Sequence, residues 1–170
     1  MTDLPIKKCY LCIIKKHHNS VQMFISLERQ KDSHQFKISV LNNVITNFDK
    51  DEYNLKQLFP RENTSSNREL YYQIATIVRK IKHELKISIN ATILSCMMTQ
   101  YIDINDTRYF IITDNDFEVA TRVNLSKKPF YGLCKVYKFV DLRKFKEFVN
   151  FDNQMLNLLK CDRLYELLNN

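Results

Sequence analysis

The sequence predicts a single α+β domain, with antiparallel sheet in two strand groups, a long central amphipathic helix and C-terminal helices. Three observations carry that reading. Apolar residues alternate with polar ones from Lys8 to Val44 and again from Ile87 to Val140, the two-residue period of a half-buried strand. Between those stretches Leu70, Ile74, Ile77, Val78, Ile81 and Leu85 recur at helical spacing. A chain of 170 residues, 45% apolar and 12% aromatic, can also bury one core without disulfide or metal staples.

Taken in order, Cys9 to Ile14 is a continuous apolar run, and Val21, Met23, Ile25 and Leu27 alternate, as do Phe36, Ile38 and Val40. His17 to Ser20 and Gln30 to Ser33 separate these runs with turn formers, so a meander is expected. Asp49 to Leu58 reads as a short helix stopped by Pro60. Ser66-Asn67-Arg68-Glu69 reads as a capping box opening a helix over about 67–86. Strands are expected over Thr92 to Ile104, Arg108 to Thr113, Phe117 to Val123 and Phe130 to Val140, with Asn105-Asp106 and Asp114 to Asp116 as turns. Leu142, Phe145 and Val149 mark a short helix, and Asp152 caps a terminal one carrying Met155, Leu156, Leu159, Leu164 and Leu168. The domain then divides into two meander-plus-helix halves, about 5–60 and 87–150, joined by the central helix.

Lys and Arg number 26 against 19 for Asp and Glu, a net charge of +7, which favours acidic partners. The five cysteines are scattered through apolar runs, the pattern of reduced thiols in a cytoplasmic or nuclear protein. No signal peptide and no run of roughly 18 apolar residues is present, so no membrane partner is expected. The richness in Lys, Asn, Ile, Tyr and Phe follows the codons of an AT-rich genome and suggests a viral-type protein. A lone glycine, Gly132, excludes phosphate loops and dinucleotide fingerprints, which need two or three glycines for close backbone approach. Its place in a basic strand would suit a bulge or the close approach of another backbone.

The segment from Arg122 to Lys146 holds eight cations against Asp141 alone, interleaved with aromatic side chains. Arg122, Lys127, Lys128, Tyr131, Lys135, Tyr137 and Lys138 are the residues expected to bind single-stranded DNA or RNA, cations meeting phosphates and rings stacking on bases. Secondary basic patches are Lys15 and Lys16 at a hairpin tip and Arg79, Lys82 and Lys86 on the central helix. The order of strand groups and helices resembles that of Whirly and PUR-repeat single-strand binders, in architecture and without a shared motif; the resemblance implies a sheet surface facing the nucleic acid. The alternative is a regulatory factor binding a host or viral protein, with the leucine-rich C-terminal helix also able to pair two copies.

No catalytic group, cofactor or metal is expected. Cys9 and Cys12 with His17 and His18 have zinc-like spacing but lack the tight turn such a site needs. Asp103, Asp106, Asp114, Asp116 and Glu118 read as turn residues. Neither a nucleophile motif nor a paired base is visible, so the chain reads as a non-catalytic binding protein.

Overall fold

The computed structural model describes residues 5–29, 36–118, 135–147 and 152–169. The class is α+β, with, among the described residues, a seven-stranded, mostly antiparallel sheet, a long helical segment before its second strand group and helices at the C-terminus. The chain divides into two compact units, Met1–Leu11 with Asn42–Ile111, and Cys12–Leu41 with Ile112–Asn170.

In the first unit, the start of β1 (Lys8–His17) pairs antiparallel with β4 (Asn42–Val44), Lys8 opposite Val44. β5 (Tyr101–Ile104) and β6 (Thr107–Thr113) form a hairpin that turns at Asn105 with φ 57°. Asn tolerates this left-handed backbone better than most residues, which is why Asn105-Asp106 is legible as a turn. The helices are α1 (Asn47–Lys50), α2 (Glu52–Leu58), α3 (Arg68–Lys80) and α4 (Ala91–Met97). Asp51, with extended backbone, separates α1 from α2 and accepts from the Asn54 amide at 3.0 Å, so the single helix expected over Asp49 to Leu58 is two. α3 buries Gln73, Ile74, Ala75, Thr76, Ile77 and Val78.

Two further sequence expectations fail in this unit. No capping box forms at Ser66. A 3-10 turn (Thr64–Asn67) precedes α3, Asn63 accepts from the Ser65 amide at 3.2 Å, and Ser66 Oγ donates to the Asn63 carbonyl at 2.9 Å. Ser66 is thus spent on the turn before the helix. The strand expected over Thr92 to Ile104 is instead α4 followed by β5. Asn90 accepts from the Ile93 amide at 3.1 Å, and Ala91, Leu94 and Met98 are buried at helical intervals. The apolar residues of this stretch serve a helical period as well as a strand period; the Asn90 cap favours the helix, and the burial of Ala91 and Leu94 decides for it.

In the second unit β2 (Ser20–Arg29) pairs with the end of β1, with β3 (Phe36–Ser39) and with β7 (Lys135–Asp141), all antiparallel. Ser20 Oγ donates to the His17 carbonyl at 2.9 Å across the β1–β2 turn, where His18 has φ 52°. α5 (Asp114–Phe117) is one helical turn where a hairpin turn was expected, and Glu118 closes it in left-handed backbone. A 3-10 segment (Leu142–Glu147) follows β7. The terminal helix is two pieces, α6 (Asn153–Leu159) and α7 (Asp162–Leu168), and Asp152 caps the first by accepting from the Gln154 amide at 2.9 Å. Met155, Leu158, Leu164 and Leu168 point inward. Among the described residues no helix is long and apolar enough to cross a membrane.

Replacing Asn90 with Ala removes the α4 cap and is expected to cost about 1 kcal/mol. Urea denaturation of the two proteins, compared at equal m-value, checks it.

Candidate functional site

In the first unit a cavity of about 640 Å³ opens to solvent. Its floor is apolar, from Phe48 on α1, Leu55 and Leu58 on α2, and Ala75 and Val78 on α3. Asp49, Asn54, Gln57, Arg79, Lys82, His83 and Lys86 supply the polar lining. Phe48 is 61% exposed, so a large apolar ring stands at this opening rather than in the core.

Asp49 sits on the cavity wall yet is only 2% exposed. A buried carboxylate is tolerated only when donors surround it. Here Arg79 Nε donates to Oδ1 at 2.9 Å and Arg79 Nη2 to Oδ2 at 2.9 Å, a bidentate fork. The Thr46 amide at 2.9 Å, Thr46 Oγ1 at 3.1 Å and Thr76 Oγ1 at 2.9 Å also donate to Oδ2. Burial pushes the carboxyl pKa up, but the hydrogen bonds from Arg79, Thr46 and Thr76 outweigh it, and the group ends below the ordinary 3.8. Arg79 Nη2 also donates to the Val44 carbonyl at 3.1 Å. The guanidinium is therefore fixed from two directions, at the edge of the cavity.

Beyond Arg79 the helix changes character. Ile81–Leu85 is a π turn, and Lys86 ends it in left-handed backbone with φ 59°. For a lysine this conformation costs about 1 kcal/mol that glycine would not pay, and π turns are frequent where a helix serves a ligand. Lys80 reaches Glu84 at 2.7 Å, whereas Lys82 and Lys86 form no ion pair among the described residues. Arg79, Lys82 and Lys86, singled out from the sequence, are thus brought together on one cavity.

The remaining expected residues are placed differently. Arg122, Lys127, Lys128 and Tyr131 lie outside the described residues, as does Gly132. Lys135 and Tyr137 alternate with Lys138 along β7, so Lys138 projects to the opposite face. Tyr137 is half-buried and stacks on the buried Phe24, ring centroids 5.6 Å apart and planes at 4°. Lys135 Nζ lies 5.9 Å from the Tyr137 ring and Lys15 Nζ 5.3 Å from the Phe139 ring. Those cations lean on rings that pack into the unit's own sheet, which weakens the picture of tyrosines held out for bases. Lys16 is exposed on β1, opposite Val21. The Arg143 guanidinium beside Asp141, 2.8 Å away, holds that carboxyl down at about 2.

Cys9 and Cys12 are fully buried in β1, and their three-residue separation directs them to opposite faces of the strand. Burial pushes the Cys9 thiol up to about 12 and raises Cys12 too. Among the described residues no group of three or more His, Cys, Asp or Glu is placed to hold a metal ion. In the acidic stretch, Asp103 takes a bidentate pair from Arg108, at 2.8 and 2.9 Å.

Sequence reading missed Asp49, Phe48, Leu55 and Leu58 as site residues. One signal was available: Thr46-x-x-Asp49 places a carboxylate where it can accept from the cap amide, as it does here.

No protein-family model and no curated protein matches the sequence. Solved structures similar to it include two of a C. elegans Ap4A hydrolase. The binary complex is 10% identical with a TM-score of 0.45, covering 95% of this chain and 98% of that one. The other is 12% identical with a TM-score of 0.43, covering 98% and 100%. These are structures of an enzyme, and they run against the reading of a non-catalytic, viral-type binder of single-stranded nucleic acid or of a host or viral protein. That reading is withdrawn, and so is the expectation that the chain is not an enzyme. At TM-scores below 0.5 the hydrolase's activity and residues are not carried to this chain in its place.

Because the Asp49 pKa is lowered on folding, its contribution to stability is whole above the ordinary carboxylate value and is lost as pH falls through the folded one. Asp49→Asn is expected to cost about 2–3 kcal/mol at pH 7, less than a fully buried pair because Arg79 is partly exposed. The gap between the two proteins should close on acidification below about pH 4, which denaturation at a series of pH values would measure.

Proposed function

We propose that the first unit binds a small organic anion, its apolar body against Phe48, Leu55, Leu58, Ala75 and Val78 and its charged group toward Lys82 and Lys86. The observation that carries this reading is the cavity itself, an apolar floor beside two lysines that have no ion pair among the described residues. Its volume of about 640 Å³ falls in the range of roughly 300–1,000 Å³ typical of small-ligand sites. Supporting it, a π turn and a left-handed lysine lie in the same wall, irregularities that cost stability and recur where a helix is shaped for a ligand.

Anilinonaphthalene sulfonate, an aromatic body with one negative charge, is a suitable probe. It is expected to shift the amide signals of Val78, Lys82 and Lys86 in a saturable titration. Reversing both charges, Lys82→Glu with Lys86→Glu, should weaken it on the order of tenfold. Shifts confined to other residues, or indifference to the charge reversal, would refute the reading.

Lys86→Gly separates binding from folding. Relief of the left-handed backbone should raise stability by up to about 1 kcal/mol, while loss of the ammonium lowers probe affinity. A variant more stable by thermal melting and weaker in binding is the expected result; one weaker in both would place Lys86 in the structural framework instead.

A further inference from the structure

We propose that the anionic group selected by this cavity is a dianionic phosphate monoester, a ligand class defined by its charge and carried on an apolar body. The inference rests on the binding reading above and goes beyond it to the headgroup. The charged and titratable side chains lining the cavity are Asp49, Arg79, Lys82, His83 and Lys86. Asp49 and Arg79 neutralise each other through the bidentate pair. Lys82 and Lys86 then remain, a surplus of two positive charges that a dianion matches and a carboxylate or sulfonate leaves half unmet.

The donor geometry agrees with the charge. Arg79 spends Nε and Nη2 on Asp49 and the Val44 carbonyl, and among the described residues Nη1 keeps both of its hydrogens for a ligand. The guanidinium is pre-ordered by that pair, so little side-chain entropy is lost when an oxygen arrives. Nη1 and two ammonium groups supply donors of the number and kind that the three terminal oxygens of a phosphate monoester accept.

Hexyl phosphate and hexanesulfonate test this directly, since they share a hexyl chain and three terminal oxygens and differ by one charge. The ratio at low pH, where both are monoanions, accounts for the ester oxygen that only the phosphate carries. The second phosphate ionisation falls near pH 6, so the phosphate is a dianion at about pH 7.5 and a monoanion at about pH 5. His83 faces both ligands alike, so the ratio of the two dissociation constants removes its contribution. At the higher pH the phosphate should bind about tenfold more tightly than the sulfonate, and at the lower pH the ratio should approach unity. Lys82→Gln with Lys86→Gln, at exposed positions, should bring the ratio near unity at both. A ratio near unity at pH 7.5 with both ligands bound would overturn the phosphate assignment and keep the binding reading. Failure of both ligands to bind would overturn both readings.

Discussion

The buried carboxylate of Asp49 is the constraint on which the first unit's architecture turns. α1 is a four-residue helix, too short to hold itself together, and it stays in place because one of its residues carries a charge that must be met inside the protein. Arg79 and Thr76 on α3 and Thr46 before α1 meet it. One unsatisfied donor or acceptor would be expensive there. The pair therefore ties α1 to α3, and the cavity lies among the residues so fixed.

The same pairing decides how basic charge is distributed. Lys80 is drawn to Glu84, Arg108 to Asp103, Arg143 to Asp141 and Arg68 to Glu52. The most exposed of them, Arg68 with Glu52, adds little stability, yet all four occupy cations that a count of charges treats as available. Lys82 and Lys86 differ because Glu84 faces Lys80, leaving no acid among the residues that line the cavity except the neutralised Asp49. A basic cluster gains meaning from what fails to neutralise it.

Backbone strain falls in the same wall. A regular α-helix continued to residue 86 would be cheaper than a π turn ending in left-handed lysine, and the chain adopts the dearer form beside its apolar floor. Irregularity of this kind persists only when surrounding packing enforces it, here through buried Ile81 and Leu85, the first and last residues of the turn.

What the sequence by itself determined was periodic. The α+β class, the stripe from Leu70 to Leu85, the hairpin turns at His18 and Asn105 and the Asp152 cap all follow from local spacing and turn chemistry, which act over a few residues. Arg79, Lys82 and Lys86 were legible as a cluster because helical spacing alone brings them to neighbouring positions. Tertiary structure decided the rest. Whether Thr92 to Met97 is strand or helix depended on the burial of Ala91 and Leu94. Tyr137 became a ring stacked on Phe24 because strand register sets the two as diagonal neighbours across β2 and β7. Asp49, thirty residues from Arg79, became the centre of the site because only a folded chain can bring a carboxylate out of water and surround it with donors from distant segments.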